Sequence, residues 1–464
     1  MDCQTRSVLS RGLTMVAVKL GCMMSSPTSG GDVCRITTAV FPSGLFVEMS
    51  DIRIKLTELR YNLRGSSKWD NGFVWLWLAG PFLYLIERTP ADIWLSVFGI
   101  VFLLRSFHTN QWQWLSAFWV RSTGLFWVVA LIVSGLSDRP LYSLGEAIAW
   151  VRFPLYAAAC MFWLGTNRAR LNMMFATMGL ATAIMAVALA VEFGSVIMLS
   201  SDHSARLSGP YGDLIPGSFL GKAMMPLAII LAAIAMSKPL KHGLVLAVAC
   251  GSMVIFTTIT GERVNAALIG VAVFLASCAW VVRPRRLVLF GTLAATGFLL
   301  LFAVFPGIAD RFSAGNKSEI TNYFNSAYWF SVRPGIVAAM ESPLTGIGVG
   351  MHRLQCPEIP QGPQWLVGQN DCHPHPHQFY VQLAEETGIF GLLTGVIMIV
   401  SIIITAANGR SNRTLYSSLA WIPPALLFFP QPSADFFGQW NNLFLWFAVG
   451  LALAMAQDQH ANDT

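Results

Sequence analysis

The chain has 464 residues, of which 55% are hydrophobic and only 12% are charged, with a formal net charge of +6. Soluble domains carry about a quarter charged residues. Half that share leaves too few charges to cover a water-facing surface, so an ordinary soluble protein is excluded.

Residues 1–48 mix Ser, Thr, Gly and Cys without a period, and no apolar run there is long enough to span a bilayer. The segment reads as a disordered tail or an over-extended start, without the clean cleavage site of a targeting segment. Met49 opens a more convincing beginning, with Arg53, Lys55, Arg60, Arg64 and Lys68 ahead of the first apolar run. From there, runs of about 18 to 25 apolar residues recur, each able to cross a membrane as a helix. Lipid cannot satisfy an open backbone, so a helix bundle is forced. Spans are predicted near 72–87, 91–107, 114–136, 144–165, 172–199, 217–236, 241–260, 263–282, 286–306, 380–406, 414–430 and 439–456. The fold class is therefore all-α, a polytopic membrane protein of about 12 transmembrane helices. Its expected parts are a cytoplasmic tail (1–70), spans 1–9 (71–307), one large outer loop domain (308–379), and spans 10–12 with a short cytoplasmic tail (380–464).

Orientation follows from Lys and Arg, which concentrate in cytoplasmic loops. The loops after spans 2, 4, 6, 8 and 10 hold Arg105, Arg168, Arg170, Lys238, Lys241, Arg283, Arg285, Arg286, Arg410 and Arg413, with no acidic residue among them. The alternate loops, including the large one, then face outward. Cys356 and Cys372 both fall in that outer loop, where disulfides persist. Either they are bridged, closing a short loop just before a histidine cluster, or they are two free thiols.

Ionisable residues inside a membrane are costly and face a partner or a cavity. Glu146, Arg152, Glu192 and Lys222 fall in the outer halves of their spans, and Arg121 nearer the inner side. They read as a polar outer vestibule or as ion pairs that fix helix positions. Arg206, in Ala-Arg-Leu-Ser-Gly-Pro-Tyr-Gly-Asp, and Arg263, in Thr-Gly-Glu-Arg-Val-Asn, lie in outer turns; Arg311 and Arg333 lie in the large loop. A guanidinium pairs two oxygens at once and stays charged. The set suits a diphosphate or carboxylate, with snorkelling or a salt bridge such as Arg263 to Glu262 as the plainer reading.

The densest signal is Asp371-Cys-His373-Pro-His375-Pro-His377-Gln378-Phe-Tyr380, just before span 10. Two prolines favour polyproline II, whose three-residue period scatters alternate side chains; this argues against a shared metal. A histidine can instead take a hydroxyl proton near neutral pH, and His377 is best placed to do so. Val381, Ala384, Gly388 and Gly391 continue its helical face as small packing positions. Pro343-Leu-Thr-Gly-Ile-Gly-Val-Gly350 lacks the lysine and setting of a nucleotide loop and reads as a backbone turn.

Four stretches resemble the O-antigen ligase and O-antigen polymerase superfamily of bacterial membrane glycosyltransferases: residues 206–212, 260–263, 343–350 and 375–391. The resemblance implies a glycan donor on undecaprenyl diphosphate, and an acceptor hydroxyl on lipid A-core or another glycan. It implies metal-free inverting transfer with no cofactor, at the periplasmic side of the inner membrane, and no nucleic-acid partner. By the match, His377 is the base and His375 its assistant. Arg206 and Arg263 hold the diphosphate, Arg333 is a further candidate for that task, and Glu386 is structural. Gln378 stands where the family usually has Asn, keeping the amide at longer reach. An exopolysaccharide polymerase and a transporter of an anionic solute are the alternative readings; no internal repeat or broken helix points to transport.

Overall fold

The computed structural model describes residues 68–199, 206–211, 215–281, 284–310, 312, 323–363, 365–366, 368–432 and 434–458, all within the unit Leu56–Thr464. The expected N-terminal tail, the basic residues Arg53 to Arg64, Arg283 and Arg311 lie outside the described residues. Among those described there are helices and no strands. In chain order they are α1 (Lys68–Leu78), α2 (Gly80–Ile86), α3 (Arg88–Thr109), α4 (Phe118–Gly135), α5 (Pro140–Leu164), α6 (Arg168–Leu199), α7 (Pro216–Ala223), α8 (Met225–Ser237), α9 (Leu240–Ile259), α10 (Arg263–Ala279), α11 (Pro284–Val304), α12 (Ala327–Glu341), α13 (Phe379–Asn408), α14 (Leu415–Leu427) and α15 (Gln439–Ala456).

Each predicted span falls on a helix or a helix pair, but not every one has the length and composition of a crossing. Among the described residues 7 helices do, or 8 when the bent pair α7–α8 is counted as one span. Helices α10 and α14 are shorter apolar helices. The predicted continuous span over 217–236 is in fact broken, with α7 and α8 meeting at 55°. The cause is local. Pro226 has no N–H to donate to the Lys222 carbonyl, and Met224 N reaches back five residues to the Phe219 carbonyl at 3.0 Å. The widened turn leaves Lys222 buried at the break.

The two ends of the bundle differ. At one end the basic loops close on the chain: Arg286 donates to the Met236 carbonyl (3.1 Å) and to that of Lys238, and Arg168 pairs with Asp458 at 3.5 Å. A 20-residue helix such as α9 is about 30 Å long. The turns at the far ends of α6, α9 and α14 therefore gather apart from the basic loops.

Helix α13 organises that second end. It packs along α4, with Gly395 against the Phe126 ring and Ser122 Oγ within 2.6 Å of Ser401 Oγ. Its upper part receives the 343–350 turn. Ile347 N and Gly348 N donate to the Glu385 and Glu386 carbonyls at 2.9 and 3.0 Å, and Ile389 N donates to the Pro343 carbonyl at 2.9 Å. At Gly388 the helix kinks, with φ 63° and ψ −169°, a region essentially reserved for glycine. A Cβ there would overlap the Leu344 carbonyl. Glycines 388 and 391, expected from their spacing to admit a neighbouring helix, differ accordingly: Gly388 admits a loop, and a Cβ at Gly391 would meet Thr387 of its own helix.

The segment between α11 and α13 is built on α12. Pro334 lies inside that helix and cannot bond the Phe330 carbonyl; Asp371 N takes the place at 3.0 Å. A disulfide joins Cys356 to Cys372, with Cα atoms 5.6 Å apart. Gly388→Ala combines a forbidden backbone region with overlap on the Leu344 carbonyl. It should cost at least about 2 kcal/mol, read as a fall in the thermal unfolding midpoint of detergent-solubilised protein.

Candidate active site

Three histidines stand at the top of α13. The rings of His375 and His377 lie 4.5 Å apart, and those of His373 and His377 4.9 Å. His377 has φ 51°, a left-handed conformation costing about 1–2 kcal/mol in a non-glycine residue. Gln378 follows as N-cap, its side-chain oxygen accepting from Val381 N at 2.8 Å. The amide at this position thus fixes the turn that presents His377, and the longer Gln side chain still makes the cap. His377 Nδ1 and His375 Nε2 are buried and have no hydrogen-bond partner among the described residues.

Asp435, in the turn between α14 and α15, backs this cluster. Its Oδ1 accepts from Gln382 Nε2 (2.9 Å), Phe437 N (3.1 Å) and Gly438 N (2.8 Å). Its Oδ2 lies 3.6 Å from His375 Nδ1. Burial lowers the proton affinity of His375, against the pull of Asp435. Burial, with the neighbouring His375 and His373, brings the pKa of His377 down to about 4. At neutral pH His377 is therefore a free imidazole.

Arg206 lies in the turn between α6 and α7, and Arg263 begins α10. Glu192 holds the Arg206 turn by accepting from Ser208 N and Oγ, both at 2.9 Å, and from Gly209 N at 2.6 Å. Arg206 Nη2 lies 3.8 Å from Glu262 Oε1, so this carboxylate, which the plainer reading gave to Arg263, pairs with Arg206. Gly261, at φ 77°, makes the sharp turn that sets Arg263 as the first residue of α10. Glu262 also accepts from Gly217 N (3.1 Å), Ser218 Oγ (3.0 Å) and Asn265 Nδ2. Burial pushes its carboxyl up, while Arg206, Ser218, Lys222 and Asn265 pull it back.

The two groups are linked through the start of α15. Lys222 Nζ donates to Asn441 Oδ1 at 2.8 Å, and Asn441 Nδ2 donates to the Asp435 carbonyl at 2.8 Å. The path runs from Arg206 to Glu262, near Lys222, then through Asn441 and Asp435 to His375 and His377. The Tyr211 and Trp440 rings, 6.1 Å apart, close the same seam.

Arg333 is placed differently. It is buried, and it donates to the Leu366 carbonyl (3.0 Å), the Gln361 carbonyl and Asn370 Oδ1 (2.5 Å). Most of its donors are taken up by the disulfide loop, which ties it to that loop. The polar vestibule expected from Glu146, Arg152, Glu192 and Lys222 also divides: Arg152 pairs with Asp92 at 2.9 Å, and Glu192 is spent on the Arg206 turn. Arg121 donates to the Leu115 carbonyl at 3.3 Å. Among the described residues no group of three or more His, Cys, Asp or Glu is arranged to hold a metal ion.

Residues 246–396 match the Wzy_C family model, O-antigen ligase. No curated protein matches the chain. The O-antigen ligase match covers about a third of the chain and supports the resemblance read from the motifs. It takes in Arg263, the 343–350 turn, the disulfide, the histidines and Glu386. Arg206, Lys222, Asp435 and Asn441 fall outside it. Of these, Asp435 and Asn441 escaped the sequence reading. The available signal was modest: Asp435 is the one acidic residue in the turn between two apolar helices.

Because His377 is held neutral, a histidine-resolved NMR titration should show its ring accepting a proton only as pH falls toward about 4. An exposed histidine does so near 6.5. A base acting through His377 should accordingly hold its rate down to about pH 5 and lose half of it near pH 4.

Proposed function

We propose that this membrane protein transfers a glycan from an undecaprenyl-diphosphate-linked donor to an acceptor hydroxyl, in the manner of an O-antigen ligase. The reaction takes place at the periplasmic face of the bacterial inner membrane. The carrying observation is the connected path from Arg206 and Glu262 through Asn441 and Asp435 to His375 and His377. The O-antigen ligase match over 246–396 supports the same reading.

The neutral His377 imidazole takes the proton of the acceptor hydroxyl. The acceptor oxygen then forms a bond to the anomeric carbon, from the face opposite the diphosphate. The bond from that carbon to the diphosphate oxygen breaks, and the lipid diphosphate leaves with the electron pair. Arg206 and Arg263 offset the charge that builds on it, and His375, steadied by Asp435, keeps the His377 ring in place. A lipid diphosphate is already a good leaving group. Positioning, charge stabilisation and one base supply the rest, with neither metal nor nucleotide sugar, and the anomeric centre inverts. Lipid A-core is the proposed acceptor. With another lipid-linked glycan in its place the same chemistry makes a polymerase.

A transporter of an anionic solute is the second reading. The broken α7–α8 pair around buried Lys222 favours it, since transporters bind their substrates at such breaks.

In a purified assay with lipid-linked donor, His377→Ala and Arg263→Ala should each reduce transfer by about 100-fold or more while membrane insertion stays normal. Full activity in both would defeat the mechanism, and solute uptake that survives His377→Ala would favour transport. On a lipopolysaccharide gel of a deletion strain, loss of all O-chain marks a ligase and a single repeat on the core marks a polymerase. Arg333→Gln should lower the unfolding temperature and leave the donor KM within about twofold, because its partners are carbonyls of the chain.

A further inference from the structure

Beside the histidine cluster stands one arginine that neither the motifs nor the proposed mechanism use. Arg353 follows buried His352 on the short turn His352–Gln355. Its place is fixed from two sides. His352 Nδ1 lies 2.6 Å from Glu385 Oε1, with both side chains fully buried, which anchors the turn on α13. On the other side Gln355 Nε2 donates to Asp138 Oδ2 at 2.6 Å, and Ser143 Oγ donates to the Val349 carbonyl at 2.9 Å. Between these anchors the Arg353 side chain is exposed.

Tyr142 and Glu146 of α5, Asp435 and Glu386 all act on its charge, and Arg353 acts in turn on His375. Yet its guanidinium makes no hydrogen bond or ion pair among the described residues. Two of the three carboxylates are occupied elsewhere. Asp435 is held by Gln382 and two backbone N–H groups, and Glu386 accepts from Gly350 N at 2.8 Å. Arg152 and Arg333, by contrast, are spent on Asp92 and on loop carbonyls. Arg353 thus offers an open, bidentate fork of the kind that grips two oxygens.

Its position says which oxygens. An inverting displacement puts the attacking oxygen and the leaving group on opposite faces of the sugar ring. The arginines assigned to the leaving diphosphate are held by α6, α7 and α10, whereas Arg353 is held by α5 and α13. We infer that Arg353 is an acceptor-binding residue, which grips a phosphate on the acceptor's core sugars and so sets the acceptor hydroxyl against His377. This rests on the glycan-transfer reading above.

The test uses the full-length protein in lipid nanodiscs with undecaprenyl-diphosphate-linked glycan. The acceptor is lipid A-core, intact or stripped of core phosphate by phosphatase. Arg353→Gln should raise the KM for intact acceptor by about 10- to 100-fold, the loss expected for a charged hydrogen-bonded pair. The donor KM and kcat should stay within about twofold, and Arg353→Lys should recover part of the loss. Removing the phosphate should raise the wild-type KM by a similar factor and leave Arg353→Gln unchanged. Three results would overturn the assignment: an unaltered acceptor KM in Arg353→Gln, an equal loss on intact and stripped acceptor, or a loss confined to kcat or donor KM. Wild-type protein that transfers nothing to either acceptor would overturn the transfer reading as well, whereas active wild type with an indifferent variant removes only the role of Arg353.

Discussion

The seam between the 343–350 turn and the top of α13 holds the rest of the site in place. Backbone N–H groups of Ile347 and Gly348 meet the Glu385 and Glu386 carbonyls, and the Glu386 carboxylate reaches back to Gly350 N. Gly346, Gly348 and Gly350 all have positive φ, and a side chain at Gly346 would drive into the Glu385 carbonyl. Burying two adjacent glutamates would be costly without partners. Here Glu386 is met by backbone N–H groups and Glu385 by His352. Polar groups that a bilayer would penalise become the fixed base on which the histidines stand.

From that base two walls rise. One carries His375, His377 and Arg353, tied to α12 where Gly335 lets Pro376 and Val381 approach to 2.9 Å of the position a Cβ would take. The other carries Arg206, Glu262 and Arg263 on the turns around α7 and α10. Their link is the polar turn leading into α15 and its first residues, where Asp435 reaches toward His375 and Asn441 toward Lys222. A break in the α7–α8 span is what brings Lys222 to that link. The break follows from a proline one turn away, so the arrangement has a local cause in the sequence.

Charge is managed unevenly among the arginines. At the end opposite the histidines, Arg286 caps helix carbonyls, Arg168 pairs with Asp458 and Arg105 with Asp70. Arg152 is held by Asp92, and Arg333 by the disulfide loop. A sequence shows all of these as guanidinium groups of equal standing. Only the neighbours decide which fork is spent on the chain itself.

The sequence by itself determined that the chain is a helical membrane protein, because apolar runs admit no other self-satisfied backbone. It located the helices, and it offered His375, His377, Arg206 and Arg263 as candidates, because local motifs and loop positions are properties of contiguous residues. It did not determine how many helices have the length to cross, since a proline break and short helices alter geometry without altering hydropathy much. It could not show that Arg333 is held by the disulfide loop, and it passed over the contacts of Asp435, Asn441 and His352. Their roles depend on residues tens to hundreds of positions away, such as Lys222 with Asn441 or His352 with Glu385. Pairings of that kind arise only when helices pack, because a side chain's partner is set by distance in space and not by spacing along the chain.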